Sequence, residues 1–133
     1  MDKYYKSKGK IVYKNDGWII LQVDNSIVNY YKVVIEKMIF KKISTPLHSA
    51  HCTILPAKHS GDYRNHKNWL KHQGEIIDFE YCSTIYTNKD FGPDKYFWLK
   101  IKTLPIVSQI RKEFGLDENL RWPLHCSIGV LGY

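Results

Sequence analysis

Two short stretches of the chain carry the same run of chemical types: His51-Cys52-Thr53-Ile54 and His125-Cys126-Ser127-Ile128. On a β-strand the side chains at i and i+2 share a face. Each stretch therefore sets an imidazole beside a hydroxyl, while Cys52, Ile54, Cys126 and Ile128 turn the other way, into a core. Two such couples suit metal-free transfer at a phosphodiester. One neutral imidazole takes a proton from an attacking hydroxyl, and the other, protonated, gives one to the departing oxygen; an ordinary histidine pKa of about 6.5 lets both forms coexist near neutrality. The hydroxyls of Thr53 and Ser127 would donate hydrogen bonds to the non-bridging phosphoryl oxygens as charge grows there. The two motifs are too alike to say which imidazole is the base. A metal is not expected, because a hydroxyl two residues on is a poor zinc ligand and neither histidine has a Cys or carboxylate at ligand spacing. A lone histidine on a strand is more often a satisfied polar residue than a catalyst. The repetition of the whole pattern favours chemistry.

The elements that must position these couples also repeat. Residues 17–23, Gly-Trp-Ile-Ile-Leu-Gln-Val, form a short apolar run that reads as a buried strand, paired as a hairpin with Ile11-Val12-Tyr13 across an Asp16-Gly17 turn. Asp24 or Asn25 caps a helix whose stripe Ile27, Tyr31, Val34, Ile35 and Met38 is expected to be core. A strand follows over 49–55. In the second half, 74–81 reads as a strand that continues into 83–86 or pairs with it, and 96–102 as a strand with Phe97, Leu99 and Ile101 on one face and Trp98, Lys100 and Lys102 on the other. Thr103 is positioned to cap a helix from Leu104 to Phe114, stopped by Gly115, and 124–130 is the last strand. The order strand, helix, motif strand thus occurs twice. The polar stretch 57–73, with His59, His66 and His72, reads as a solvated loop with a helical turn.

With 133 residues, a net charge of +7 and 44% hydrophobic content, the chain suits one domain, 1–133, with lobes at 8–56 and 74–133. The fold class is α+β: a bilobal, pseudo-two-fold body with antiparallel or mixed sheets and outer helices. If the lobes face each other, the couples stand on opposite walls of one cleft. No run is long and apolar enough for a spanning helix, no membrane partner is expected, and the N-terminus lacks the apolar stretch of a secretory signal, so a cytoplasmic protein is expected. Three cysteines without metal-type spacing read as small buried hydrophobes. The basic balance rests on lysine, with arginine only at Arg64, Arg111 and Arg121, so the forks that read duplex nucleic acid are scarce. The N-terminal lysines from Lys3 to Lys14 read as a diffuse basic arm. Aromatic content of 14% supplies candidates for stacking on a base: Tyr13, Trp18 and Trp122, with Lys58 in reach of a phosphate.

These residues resemble the 2H phosphoesterase superfamily, LigT-like 2′-5′ RNA ligases and cyclic phosphodiesterases that carry two His-x-Thr/Ser motifs on a bilobal α+β fold. The resemblance spans essentially the whole chain. It implies catalysis by His51 and His125 and phosphate binding by Thr53 and Ser127, with no cofactor. The endings Ala-His-Cys-Thr-Ile and Pro-Leu-His-Cys-Ser-Ile-Gly look most like compact viral members, among them phage anti-CBASS proteins that cleave cyclic di- and trinucleotide messengers such as cGAMP. The implied reaction is attack of a ribose 2′-hydroxyl on the adjacent 3′-5′ phosphodiester, giving a 2′,3′-cyclic phosphate that water then opens, in the cytoplasm of an infected host. The chain ends eight residues after His125, so base-gripping residues that longer relatives place on a C-terminal extension are not expected. Two alternatives stand beside this reading: a binding protein that sequesters such messengers, and an RNA 2′,3′-cyclic phosphodiesterase or 2′-5′ ligase-like enzyme. His48, in Pro46-Leu47-His48, echoes the setting of His125, but its i+2 position is Ala50, without a hydroxyl.

Overall fold

A computed structural model describes residues 3–44, 50–56, 62–88, 95–117 and 124–131. Their order is β1 (Tyr4–Tyr13), β2 (Ile19–Gln22), α1 (Asn25–Ile39), β3 (His51–Leu55), a 3-10 turn at Tyr63–Asn65, β4 (Ile76–Thr87), β5 (Lys95–Ile101), α2 (Pro105–Glu113) and β6 (His125–Leu131). The protein is α+β, and each half runs strand, strand, helix, strand. The strands close into a barrel in the order β1-β2-β3-β6-β5-β4, every pair antiparallel. That order reads as the first half followed by the second in reverse, the arrangement a two-fold relation between halves would give. The halves meet at two seams, β3 with β6 and β1 with β4. No parallel pair occurs among the described strands, so the mixed-sheet alternative falls away.

Local chemistry explains most of the boundaries. Gly17 takes a positive φ of 97° in the β1–β2 turn, where the Lys14 N–H donates to the Trp18 carbonyl at 2.7 Å. β1 begins earlier than its hydrophobic run because Tyr4–Lys10 pairs with β4 from Cys82 back to Ile76. The lysines expected in a loose arm therefore sit in a strand, with Lys6, Lys8 and Lys10 exposed. The Asp24 carboxylate caps α1 by accepting from the Ser26 N–H at 2.9 Å. Within α1, Val28 and Ile35 are buried and Ile27 and Tyr31 pack against the core. Met38, expected in the core, is 71% exposed, because it lies in the last turn beyond the final buried position. α2 starts one residue later than expected. Its N-cap is Leu104, not Thr103, and Pro105 opens it, where a missing N–H costs nothing. Gly115 closes it at φ 72°, as its left-handed stop.

One core unites both halves. Ile11, Leu21, Cys52, Ile54, Leu99, Ile101, Cys126 and Ile128 from the strands join Val28 and Ile35 of α1 and Val107 and Ile110 of α2. All three cysteines are free and buried, as the sequence suggests. Because the helices cover the face that carries these residues, the intervening strand positions turn away from the core. A Cβ at Gly129 would strike the Ser44 carbonyl, so only glycine lets β6 bridge to Ser44, whose N–H donates to the Val130 carbonyl at 2.8 Å. This contact ties the motif strand β6 to the segment that follows α1.

Candidate active site

The couples lie on the face away from the core. His51, Thr53, His125 and Ser127 are each half-buried, while Cys52, Ile54, Cys126 and Ile128 between and after them are buried. β3 and β6 are joined where Cys52 faces Cys126. The two thiols are in hydrogen-bonding contact inside the core, and that contact together with complete burial pushes the Cys52 thiol well above its ordinary range. These thiols are packing groups under the site.

The antiparallel register through Cys52 and Cys126 sets the geometry above them. His51 and Ser127 stand one residue to one side of that pair, and Thr53 and His125 one residue to the other. The imidazoles thus hold one diagonal around the Cys52–Cys126 pair and the hydroxyls the other. The couples stand on neighbouring strands of one sheet, joined at the Cys52–Cys126 pair.

The flanking strands extend these positions into two rows. One runs Lys10, Gln22, His51, then Ser127, Trp98, Tyr86; the other runs Val12, Ile20, Thr53, then His125 and Lys100. Paired residues in a sheet share a face, so each row lines the same surface. Ile20 is buried yet lies outside the core cluster, giving Thr53 an apolar neighbour. Lys100 is exposed beside His125. The Trp98 ring meets the His125 ring at 6.2 Å between centroids and 64°. On its other side it lies near-parallel to Tyr86, at 6.5 Å and 17°. A concavity of about 400 Å³, lined in part by Lys8, Lys10, Gln22 and Asn25, opens at the Gln22 end of the first row.

The remaining sequence candidates fare unequally. Tyr13 is corrected: it is 5% exposed, because it shares the inward parity of Ile11, and its ring packs edge-on against Trp69 at 5.0 Å. Its hydroxyl accepts from the His72 N–H at 3.3 Å, and burial, the largest influence, raises its pKa. No face is left for a base. Trp18 is half-buried in the β1–β2 turn, next to the strand end where Ile19 pairs with Leu55. Its N–H donates to the Asp16 carboxylate at 3.2 Å. Lys58, Trp122, His48 and His59 lie outside the described residues. Trp98, Lys100, Gln22 and Tyr86 were not among the sequence candidates. Alternation along 96–102 already put Trp98 and Lys100 on one face; what it lacked was the strand register that sets that face beside His125.

His72 corrects the reading of the middle stretch as a solvated loop. It is 8% exposed and held between two carboxylates. Its Nδ1 pairs with Glu75, and its Nε2 lies 2.9 Å from Oε2 of Glu113, which also meets Lys71 Nζ at 3.2 Å. Burial would lower the His72 pKa, but the two carboxylates outweigh it and raise it. Burial would raise the Glu113 pKa, but hydrogen bonds from His72 and Lys71 lower it. The group clamps the 62–75 segment to the end of α2, where His66 also lies against Phe114 at 4.8 Å. It shares no residue with either row of the site.

Among the described residues, no group of three or more His, Cys, Asp and Glu is placed to hold a metal ion, and no helix is long and apolar enough to cross a membrane. Comparison of the chain with family models, with curated proteins and with solved structures returns no match.

Proposed function

We propose that this chain is a metal-independent phosphodiesterase of the 2H phosphoesterase type, acting on 3′-5′ bonds of cyclic di- or trinucleotide messengers. The observation that supports it best is the cross-strand placement of His51 and Thr53 against Ser127 and His125, around the Cys52–Cys126 pair. One imidazole on each side of a phosphorus permits in-line displacement, and two hydroxyls on the other diagonal can reach its non-bridging oxygens.

In the reaction, one imidazole accepts the proton of a ribose 2′-hydroxyl as that oxygen attacks the adjacent phosphorus. A bond from O2′ to phosphorus forms and the bond from phosphorus to O5′ breaks. The other histidine, as imidazolium, gives its proton to the departing O5′, and the product ends in a 2′,3′-cyclic phosphate. The imidazoles have then exchanged protonation states. The newly protonated one can serve as acid while its partner activates water to open the cyclic phosphate. Thr53 and Ser127 hold the phosphoryl oxygens throughout, and the Lys100 ammonium adds positive charge beside His125. The viral, messenger-destroying role rests on the likeness of the motifs to those of compact viral members of that superfamily, and with it goes a place in the host cytoplasm.

The test is incubation of the purified chain with cyclic di- and trinucleotides and 2′,3′-cyclic mononucleotides, with and without chelator, the products resolved by chromatography. Chelator-resistant appearance of linear products ending in 2′,3′-cyclic or opened phosphate is the expected result. Tight binding with no turnover of any substrate would replace the enzyme by a sequestering protein, and cleavage confined to 2′,3′-cyclic ends would move it to RNA processing.

A further inference from the structure

The two halves of the site are alike in their catalytic couples but not in what flanks them. The position that Ile20 holds beside Thr53 is held beside Ser127 by Trp98, and the next position out, Val12 in the first half, is Tyr86 in the second. An apolar pair in the first half thus corresponds to an aromatic pair in the second. Neither ring of that pair belongs to the core cluster, and both remain half-buried on the face of the catalytic residues.

We infer that Trp98, supported by Tyr86, is the seat of a nucleobase, and that the base it takes belongs to the nucleotide whose phosphate lies between the two imidazoles. Three observations carry this. The Trp98 ring is next to His125, at 6.2 Å between centroids, so a base stacked there is about one ribose away from a phosphate at the couples. Tyr86 lies near-parallel to it at 6.5 Å and 17°, which fixes the indole plane in advance and lowers the ordering cost of stacking. Cross-strand pairing with Ser127 puts the indole beside the phosphate-binding hydroxyl, on rigid strand and not on a loop. Stacking on an aromatic plane tolerates any base but grows with the area of overlap, so purines are held better than pyrimidines. Among the described residues no aromatic pair flanks Ile20, so of these residues only Trp98 and Tyr86 grip one base of a cyclic dinucleotide in this way. The cleaved bond is then the one adjoining the gripped nucleotide.

The inference rests on the catalytic reading for the placement of the phosphate, but its test does not need turnover. Binding of adenosine 3′-monophosphate, cytidine 3′-monophosphate and inorganic phosphate is measured by calorimetry for the wild-type chain, Trp98→Ala, Trp98→Phe and Tyr86→Ala. In the wild type adenosine 3′-monophosphate should bind more tightly than the cytidine compound, and both more tightly than phosphate. Trp98→Ala should weaken the adenosine compound about tenfold and leave phosphate unchanged. Trp98→Phe should recover most of the loss, and Tyr86→Ala should weaken binding by a few fold. Equal affinity for adenosine 3′-monophosphate and phosphate in the wild type, or an unchanged preference in folded Trp98→Ala, overturns the seat. If the base preference vanishes with Trp98 while no phosphodiester is ever cleaved, the seat stands and the catalytic reading falls.

Discussion

The first half of the site offers Lys10, Gln22 and Ile20 around its histidine and hydroxyl, and the second offers Lys100, Trp98 and Tyr86 around a pair of the same types. The core beneath them is nearly identical, with Cys52 against Cys126 and Ile54 and Ile128 fully buried. What stays the same in both halves is what the proposed proton transfer needs, and what differs is what could tell one end of the proposed substrate from the other. A two-fold site would treat the two ends of a phosphodiester alike. The aromatic pair and the lysine beside His125 remove that equivalence, and they favour one direction of binding.

Substitutions made in matched pairs can break or sharpen this comparison. The largest effect is expected from His51→Ala and His125→Ala, each lowering kcat by about 10²–10⁴-fold because each removes a proton-transfer group of the proposed mechanism. Steady-state rates on a cleaved cyclic dinucleotide would show it, with circular dichroism confirming the fold. Thr53→Val and Ser127→Ala should cost about 10²-fold in kcat apiece, since each removes a donor aimed at growing charge. A loss confined to KM would mean that the hydroxyls bind the ground state only. Next in size, Lys100→Ala should reduce kcat/KM by about tenfold at low salt and much less at high salt, whereas Gln22→Ala should change it by a few fold with no salt dependence. Equal effects at the two positions would remove the asymmetry.

The smallest effect concerns the clamp around His72, which acts on stability and not on chemistry. Its folded pKa is raised, so its contribution is complete below the unfolded value of about 6.5 and is lost as pH climbs through the folded value. Glu113 is lowered from 4.5, so its contribution is present above that value and fades as pH falls through the folded one. The clamp is therefore strongest between about pH 4.5 and 6.5. His72→Gln should lose about 1 kcal/mol in that window and flatten the decline above it, as read by denaturant melts across pH. Activity per folded molecule should not change.

How much of this was legible beforehand depended on distance along the chain. Helix α1 with its Asp24 cap, the Gly17 turn, the Gly115 stop and the alternation in β5 and β6 follow from patterns a few residues long. The histidine and hydroxyl couples were visible for the same reason: period-two alternation puts them opposite the buried cysteines without any knowledge of the fold. Register was not visible. Nothing local to Tyr13 says that its strand turns it onto Trp69, and nothing local to His72 says that Glu113, far along the chain, will pair with it. The placement of Trp98 beside His125 likewise depends on which residues β5 and β6 bring opposite each other, with an irregularity between Phe97 and Trp98 that alternation alone does not reveal. Met38 and Thr103 show the remaining error, a helix end misjudged by a residue or a turn.

The claim beneath all of this is that His51 and His125 act together on one phosphorus. The double variant His51→Ala/His125→Ala, compared with each single variant on the same cyclic dinucleotide, addresses it directly. Groups that share one proton-transfer event are strongly non-additive. The expected result is a residual rate for the double variant within a few fold of the slower single one. Wild-type turnover in either single variant, or a double-variant loss equal to the product of the two single losses, would contradict it.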